Sequence, residues 1–473
     1  MLIIKFFPKN TFWLSSRLIQ IGYLDAALKL VTQTEVSIKK HELPIQDRVL
    51  SMDKIRNNGL SIAPVIKEPI EKVNVLFAVH NSLPYDKAGY ALRTHAIVTK
   101  LQKNSINLMV ATRAGYPWDL QKHKHLDGSA RENVIDSIKY LRLADDDKTF
   151  KKGSDFNYIK NYSDELIKTA KKNDITILHA HSNYLNALSA IKASNELGVP
   201  SVYEVRGLWH FTRLTQDPSY KYNGMFDYEQ EMVKGAAKAA DAVVTISDAL
   251  KNLIVSWGID SEKIIVVPNA VDTSLFNPQE KSKNLIEKHN LHGKIVVGFI
   301  GSITGYEGLD NLIVAVDELI ADKYNISLII VGDGNGKNKF EKIAKSDQII
   351  FTGRVPFSNV GEYYSVFDIC VYPRNNSEVC RYVPPLKPLE AMAMKKAVIV
   401  SDVAPLLEMI EDKQTGLVCK ADDIDSLKGA VIKLYENKDL RERLATNANK
   451  WVVKNRSWDL VAEKYHEIYN SFK

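Results

Sequence analysis

From about residue 72 onward, short apolar runs rich in β-branched residues alternate with longer stretches whose apolar positions follow the period of a helix. Runs that are apolar along their whole length are typical of parallel sheets covered by helices on both faces. The predicted strands form two series: 73–80, 106–112, 176–181, 201–205, 242–246 and 263–268, then 294–301, 326–334, 348–353, 368–373 and 396–402. The pattern predicts an α/β protein with two Rossmann-like domains facing across a cleft.

The same pattern divides the chain into five segments. They are an N-terminal extension at 1–70, a first domain at 72–267, a crossing at 268–278, a second domain at 279–455 and a C-terminal helix at 456–473. In the extension, IGYLDAALKLVTQ has the pattern of an amphipathic helix, but the residues that follow it are polar and irregular. The role of the extension is unknown, and a packing appendage and a membrane-surface helix both stay open.

Size and composition agree with this organisation. A chain of 473 residues is too long for one hydrophobic core and predicts two or three domains. Hydrophobic residues make up 45% and charged residues 25%, which excludes a disordered or fibrous chain. The formal net charge of +6 fits an anionic ligand, a membrane face or a plain basic protein, and it does not require a nucleic acid partner.

Three features bear on the cellular compartment. The three cysteines lack the paired spacing of a zinc or redox site and indicate reduced thiols. No apolar run approaches the roughly 18–20 residues of a membrane span. The N-terminal sequence MLIIKFFPKNTFWLSSRLIQ interrupts its apolar residues with lysines and a proline, which makes it a poor signal peptide. We therefore expect a cytoplasmic protein.

Polar residues follow several predicted strands, at the edge where parallel sheets bind their ligands. Gly89 precedes a helix whose first backbone N–H groups would be open to a ligand, although turn and cap glycines are commoner. His179 and His181 alternate at the end of strand 176–181 and therefore point to the same side, either as core residues or as site residues. No carboxylate or cysteine lies near them in the sequence, so we expect no metal.

The strand end YEVRGLWH is a second candidate site. Glu204 and Arg206 alternate there with apolar residues, which fits either a buried ion pair or a site for a polyhydroxylated ligand. Trp209 lies next to them and suits a sugar, because an indole ring offers a flat apolar face with a polar edge.

The second domain contains a basic loop. Arg374, Arg381 and Lys387 surround the start of a helix near Pro388, a residue favoured at the first helical position. Such a helix start with three cations suits a diphosphate, and Glu390 within the helix could accept hydrogen bonds from ribose or sugar hydroxyls. The alternative is a helix cap with surface charges.

Nine sequence pieces resemble one known family. They are, in order, AGYALRTHAIV, HAHSN, YEVRGLW, ADAVVTISDALK, VVPNAVDTSLF, GSITGYEGLD, GRVPFSNVGEYYSVFDICVYPR, PLKPLEAMAMKKAVIVSDV and TGLV. Together they resemble the family 4 retaining glycosyltransferases of GT-B fold, over about 73–473. The YEVRG, YEGLD and PLKPLEAMA pieces are similar to a subgroup often found in bacterial exopolysaccharide and capsule assembly.

The resemblance implies roles for the domains and for single residues. The first domain would lie on the acceptor side, the second would bind the nucleotide sugar, and the C-terminal helix would pack back on the first domain. His181 would hydrogen-bond the donor sugar, and Glu390 would contact the nucleotide ribose. The expected site residues are His181, Lys387 and Arg381 for catalysis; Gly89, Tyr90, Gly301, Ser302, Gly353, Arg354, Val355, Arg374, Pro388, Leu389 and Glu390 for donor binding; and Glu204, Arg206 and Trp209 on the acceptor side.

The chain departs from the family pattern at its diphosphate clamp, the basic pair that holds the donor phosphates. In most of the family an arginine follows the glycine corresponding to Gly301 and a lysine precedes the one corresponding to Gly308. Here those positions hold Ser302 and Glu307, and Tyr382 stands where the family has the first of two glutamates. The clamp is therefore absent or rebuilt. Our hypothesis is that three cations replace it: Arg374, Arg381 and Lys387.

The resemblance implies a retaining, metal-independent glycosyltransferase without a cofactor, active in cell-surface polysaccharide synthesis. Its donor would be a UDP- or GDP-sugar and its acceptor a saccharide or a lipid-linked molecule. The acceptor hydroxyl would attack from the side of the leaving group, and a donor phosphate oxygen would take its proton. A lipid-linked acceptor would bring the protein to the inner face of the cell membrane. The alternative is a catalytically inactive GT-B-like partner in a polysaccharide assembly complex.

Overall fold

The computed structural model describes residues 11–32, 43–123, 125–126, 131–143 and 154–473. Its strands are β1 (Asn74–Val79), β2 (Asn107–Thr112), β3 (Glu132–Ile135), β4 (Ile138–Arg142), β5 (Ile177–His181), β6 (Ser201–Val205), β7 (Ala242–Thr245), β8 (Ile264–Val266), β9 (Ile295–Ile300), β10 (Ile326–Val331), β11 (Ile349–Gly353), β12 (Ile369–Tyr372), β13 (Ala397–Ser401) and β14 (Leu417–Cys419).

The helices of the described residues lie between these strands and at both ends of the chain. They are α1 (Thr11–Ile21), α2 (Leu24–Thr32), α3 (Leu43–Asn58), α4 (Gly89–Lys103), α5 (Asp155–Lys172), α6 (Tyr184–Leu197), α7 (Trp209–Leu214), α8 (Met225–Ala239), α9 (Asp248–Ser256), α10 (Lys283–Lys288), α11 (Leu309–Ala321), α12 (Lys337–Ile343), α13 (Val360–Val366), α14 (Lys387–Ala393), α15 (Ala404–Leu407), α16 (Ile424–Glu436), α17 (Lys438–Asn455) and α18 (Trp458–Asn470).

The chain divides into two compact units, each with its own sheet. The first unit contains Met1–Thr245, Lys251–Val266 and Lys464–Lys473, and the second contains Ile246–Leu250 and Val267–Glu463. The predicted α/β class is confirmed, because both sheets are mainly parallel and the strands alternate with helices.

The sheet of the first unit has the strand order β3-β4-β2-β1-β5-β6-β7-β8. Every side chain of β1, β5, β6 and β7 is buried, which is why these strands are apolar along most of their length. The pair β3 and β4 is the antiparallel exception, and the sequence reading missed it. Its side chains are partly exposed in alternation, so it lacks a continuous apolar run, and Asp136 and Ser137 turn the hairpin with φ values of 47° and 67°.

The sheet of the second unit is parallel throughout, in the order β11-β10-β9-β12-β13-β14. Five of its six strands, β9 to β13, match the predicted runs, and β9 and β10 pair in register from Ile295 to Ile300. The edge strand β14, which is three residues long, was not predicted.

The described part of the N-terminal extension packs on the first unit. Tyr23 forms a β-bridge with Gly224, and the Asp25 N–H donates to the Asn223 carbonyl at 3.0 Å. The Arg56 guanidinium pairs with the carboxylates of both Asp25 and Asp53. These contacts favour the packing appendage among the two readings of the extension.

Two further findings concern the C-terminal helix and membrane spans. The Ser457 hydroxyl accepts from the Leu460 N–H at 3.3 Å and caps α18. The last residues of that helix belong to the first unit, where the Tyr469 hydroxyl lies 2.7 Å from Nδ1 of His179. Within the described residues, the helices include none that is both long and apolar enough to cross a bilayer.

Candidate functional site

In the first unit, the polar strand ends predicted from the sequence meet in one cluster. Strands β5 and β6 are parallel neighbours, and their register places His181 directly beside Glu204. His179 lies two residues earlier on the same side, with its Nε2 3.5 Å from Glu204 Oε2. The prediction that the two histidines share one side is confirmed by their ring centroids, which are 4.7 Å apart.

Glu204 is the hub of a buried ion-pair network. Arg93, on α4, places Nη2 3.0 Å from Oε1, and Arg206 places Nη2 3.0 Å from Oε2. Burial alone would raise the pKa of Glu204, but the two guanidiniums outweigh it and hold the pKa well below its usual value. Because Glu204 is fully buried and Arg206 nearly so, the ion-pair alternative describes them better than a direct acceptor contact.

His181 is fully buried, and protein groups surround both of its ring nitrogens. Nδ1 lies 3.5 Å from the Thr94 hydroxyl, and Nε2 lies 3.3 Å from Arg206 Nη2 and 3.2 Å from Glu204 Oε2. Burial lowers the pKa of His181 well below its ordinary value, and Arg206 lowers it further. Burial likewise lowers the pKa of His179 to about 3. Both imidazoles are therefore neutral at physiological pH.

The sequence reading missed a carboxylate near these histidines. Ligand atoms of His179, His181 and Glu204 lie within 4.8 Å of one another, which is close enough to hold a metal ion. The Glu204 oxygens, however, already accept from Arg93 and Arg206. A metal ion would add positive charge beside two guanidiniums, so we interpret the cluster as an ion-pair network rather than a metal centre.

Two residues of this region were missed in the sequence. Arg93 and Thr94 are buried on α4, and the Thr94 hydroxyl accepts from Arg206 Nη1 at 2.6 Å. The available signal was their helical spacing to the buried Ile97 and Val98, since polar residues on the apolar face of a helix require polar partners.

Gly89 and Tyr90 begin α4, and Trp209 begins α7. The Tyr90 hydroxyl accepts from the His80 N–H at 2.9 Å, and its ring lies 5.1 Å from the Arg206 guanidinium carbon. Trp209 is 47% exposed, and its ring meets His80 edge-on at 5.0 Å. Of the three residues predicted on the acceptor side, Trp209 is the one that presents its side chain to solvent.

In the second unit, glycines allow loops to approach closely beyond the strand ends. Gly308 has a φ of 70°, and a Cβ there would lie 2.0 Å from the Pro373 carbonyl oxygen. Gly332 has a φ of 143°, and its Cβ would lie 1.9 Å from the Gly301 oxygen. The backbone at Gly301 therefore packs directly against the loop after β10, and Ser302 beside it is exposed.

Arg374, one of the three cations proposed for the clamp, is held by Glu307. Its Nε and Nη2 donate to the two carboxylate oxygens at 3.0 and 2.6 Å, and its Nη1 donates to the Val383 carbonyl at 2.8 Å. Both side chains are 9% exposed. Each guanidinium nitrogen of Arg374 therefore has a protein acceptor and its charge is paired, which makes it a weaker candidate for the diphosphate than a cation with a more exposed side chain; its role in donor binding stays a prediction.

The other two cations are more accessible. Arg381 donates from Nε to Asn376 at 2.8 Å and lies 3.5 Å from Glu378, with its side chain 46% exposed. Lys387 places Nζ 3.0 Å from each oxygen of Glu390 and is partly exposed. Lys387 and Glu390 are thus paired at the start of α14, and an ammonium group with three N–H donors keeps one for a further acceptor.

The remaining residues predicted to bind the donor fall into a buried group and an exposed group. Pro388 and Leu389 are buried in the first turn of α14 and act in packing. Arg354 is exposed, and Gly353 and Val355 are partly exposed at the end of β11. Gly353 has a φ of 73°, so the chain turns sharply there and presents its backbone. Their roles in donor binding stay predictions.

Comparison with known families matches most of the chain in two pieces. Residues 281–451 match the family described as Glycosyl transferases group 1, and residues 128–275 match Glycosyltransferase Family 4. The first piece lies in the second unit, and the other lies almost wholly in the first.

Relatives and solved structures agree with these families. An uncharacterized glycosyltransferase of Methanocaldococcus jannaschii is 27% identical over 257 residues, which is 54% of this chain and 64%, less than two thirds, of that protein. The Staphylococcus aureus capsular polysaccharide biosynthesis glycosyltransferase CapM is 25% identical over 284 residues, 57% of this chain and 70% of that protein. The structure of Anabaena HepE in complex with UDP-glucose has a TM-score of 0.64 and 15% identity, covering 84% of this chain and 99% of that chain, and shows the shared fold.

Proposed function

Because the chain is a family 4 glycosyltransferase of the GT-B fold, we propose that it moves a sugar from a nucleotide-sugar donor to a saccharide or lipid-linked acceptor in cell-surface polysaccharide synthesis. The anomeric configuration of the sugar is retained in this proposal. Neither a metal nor a cofactor takes part. The donor is a UDP- or GDP-sugar, and the relation to a fold that binds UDP-glucose in HepE supports testing uridine first.

The pair of Lys387 and Glu390 carries the proposal. It places an ammonium group and a carboxylate 3.0 Å apart at the beginning of α14. Along the chain this helix connects β12 and β13, two neighbouring strands of the second sheet. In this proposal the carboxylate accepts hydrogen bonds from the ribose, and the remaining N–H of Lys387 donates to the diphosphate. Arg381, which is half-exposed, adds the second cation, so the clamp consists of two residues instead of the three first expected.

The mechanism needs charge stabilisation on the departing diphosphate. Fixed cations and helix-end N–H groups supply it without reorganising during the reaction. The acceptor hydroxyl attacks C1 from the face that the diphosphate leaves, the C1–O bond to the phosphate breaks, and a phosphate oxygen takes the hydroxyl proton. Among the candidate carboxylates, Glu204 is a poor base because two guanidiniums stabilise its charged form, which supports a phosphate oxygen in that role.

The first unit contributes positioning in this proposal. His181 is neutral and enclosed by Thr94, Arg206 and Glu204, so it does not serve as a general base. Its contacts with Thr94 and Arg206 hold this cluster in place near the donor sugar. Trp209, which is exposed, offers its ring face to an acceptor sugar.

A thermal-shift screen with nucleotide sugars and free nucleotides tests this function. A ligand at 100 times its Kd adds about 2.7 kcal/mol to the stability of the folded protein, enough for a visible shift in Tm. We expect a response to one nucleotide and its sugar. Lys387→Ala should raise the Kd for the nucleotide about tenfold or more and so reduce the shift in Tm. Arg381→Ala should raise the Kd less, because the Arg381 side chain is more exposed than that of Lys387. Unchanged donor turnover in both variants would refute the rebuilt clamp.

The catalytically inactive partner is the second candidate, and one observation favours it. Arg374 is neutralised by Glu307, so the second unit has lost one cation from its expected clamp. This candidate predicts a folded protein that ignores every nucleotide in the screen. A specific nucleotide response followed by transfer would refute it.

A further inference from the structure

Two buried tyrosines lie beside Glu390 in the second unit. Tyr364, on α13, and Tyr372, at the end of β12, are 0% and 1% exposed. The Tyr364 hydroxyl donates to Glu390 Oε2 at 3.1 Å, and the Tyr372 hydroxyl donates to the Lys387 carbonyl at 3.0 Å.

The two hydroxyls divide their hydrogen bonds between two acceptors. Burial raises the pKa of both tyrosines well above the ordinary value, so each keeps its single proton. The hydroxyls are 3.4 Å apart, and Tyr364 also lies 3.4 Å from the Lys387 carbonyl. A charged acceptor is the stronger one, so the proton of Tyr364 goes to Glu390 while that of Tyr372 goes to the carbonyl.

This division leaves one Glu390 oxygen better able to accept a ligand than the other. A carboxylate offers about four lone-pair positions. Oε2 accepts from Tyr364 and Lys387, whereas Oε1, within the described part of the chain, accepts from Lys387 alone. Glu390 is 8% exposed, so it has little freedom to exchange the two oxygens.

We propose that Tyr364 is a positioning residue that holds Glu390 through Oε2, so that Oε1 accepts from the ribose hydroxyls of the donor. The inference rests on the proposed function, in which Glu390 contacts the ribose. It predicts that the ribonucleoside diphosphate sugar of the proposed function is selected over its 2′-deoxy counterpart. A deoxy donor leaves an oxygen of the buried Glu390 carboxylate one hydrogen bond short, which lowers affinity about 10- to 100-fold.

The test compares ribose selectivity in the full-length protein and three variants. Calorimetry gives the Kd for UDP and 2′-deoxy-UDP, and for GDP and 2′-deoxy-GDP, and the ratio within each pair is the selectivity. Glu390→Gln should bring the ratio close to one. Tyr364→Phe should lower it about three- to tenfold, because the ring stays and only the donated hydrogen bond is lost. Tyr372→Phe is the matched control and should keep the ratio within about twofold.

Each outcome has a distinct meaning. A wild-type protein that binds neither pair overturns the proposed function and this inference with it. A wild-type protein that binds both members of a pair equally overturns the ribose contact. If the wild type is selective and Tyr364→Phe weakens the binding of both nucleotides of a pair equally, Tyr364 acts in packing only and the positioning role is refuted. The role is also refuted if the control variant Tyr372→Phe loses as much selectivity as Tyr364→Phe.

A structure of the wild-type protein with bound UDP or GDP provides a measurement that needs no variant to fold. We expect Tyr364 Oη to stay within hydrogen-bond distance of Glu390 Oε2, with a ribose hydroxyl on Oε1. Ribose hydroxyls held by Oε2, or by another side chain, would overturn the inference.

Discussion

Glu307 and Arg374 show how an acidic residue can pair with a nearby arginine and neutralise its charge. Nε and Nη2 of Arg374 donate to the two carboxylate oxygens of Glu307, and Nη1 donates to the Val383 carbonyl. Burying two charges is favourable only when such hydrogen bonds are complete. The pair therefore holds the loop before α14 in place, and in our proposal Lys387 and Arg381 bind the phosphates.

Removing one partner of this pair should be costly. Arg374→Met leaves the Glu307 carboxylate buried without its cation, and we expect a loss of about 3 kcal/mol in the free energy of unfolding. The double variant Glu307→Leu with Arg374→Met should recover part of that loss. Urea unfolding of the single and double variants measures the coupling. Strictly additive losses would contradict a direct interaction.

His210 predicts a pH dependence of stability. Burial lowers its pKa to about 3, and its Nε2 lacks a hydrogen-bond partner among the described residues. Below about pH 6.5 the unfolded chain binds a proton at this residue that the folded protein does not bind. Stability therefore falls by about 1.4 kcal/mol per pH unit from this residue as pH drops from about 6.5 towards 3.

His210→Phe should reduce this fall. The ring packs against Phe211 and Phe226, at centroid distances of 4.6 and 5.0 Å, so a phenyl ring suits the position. Between pH 7.5 and 5 the variant should gain about 2 kcal/mol relative to the wild type, as measured by urea unfolding at both pH values. If the free energies of unfolding of the variant and the wild type changed with pH in parallel, the difference in proton binding between folded and unfolded His210 would be refuted.

At the scale of elements, burial determined what the sequence could predict. Strands buried on both faces were found because they are apolar runs, whereas the hairpin of β3 and β4 was missed because it is partly exposed. The extension was located but its contacts were not, since Gly22 and Tyr23 meet Tyr220 and Gly224 about two hundred residues later in the chain. Such contacts leave no local pattern.

Gly22 tests the docking of the extension. Its φ is 96°, and a Cβ would lie 2.6 Å from the buried ring of Tyr220. Gly198, with a φ of 70° and no atom within 4 Å of a Cβ, is the matched control. Gly198→Ala should cost about 1 kcal/mol for the left-handed backbone alone, and Gly22→Ala about 1–3 kcal/mol more for overpacking. Equal losses in denaturant unfolding would mean that the extension does not press on Tyr220.

At the scale of the whole molecule, the two units contain separate clusters of polar side chains. The sequence predicted His181, Glu204, Lys387 and Glu390 as site residues, because polar residues at apolar strand ends and helix starts stand out. It could not show that Glu204 meets Arg93, 111 residues away, since that pairing depends on how the helix packs on the sheet. The distinction between exposed and neutralised cations likewise required the structure.

His181→Ala tests this division of labour. The three residues of the proposed nucleotide site, Lys387, Arg381 and Glu390, lie in the second unit, whereas His181 lies in the first. The variant should lower kcat by about tenfold or more while the Kd for the free nucleotide changes less than twofold. Steady-state kinetics and calorimetry measure the two quantities. A large loss of nucleotide affinity would contradict the assignment of His181 to the sugar.

The most direct test of the central claim is a phosphorus NMR time course. It follows the protein mixed with the nucleotide sugar that raises its Tm and with a cell extract that contains candidate acceptors. The account predicts that the two diphosphate resonances of the donor give way to those of the free nucleoside diphosphate, with an unchanged rate when a chelator is added. A nucleotide sugar that binds to the folded protein and stays intact with every acceptor would contradict the claim that this chain is a transferase.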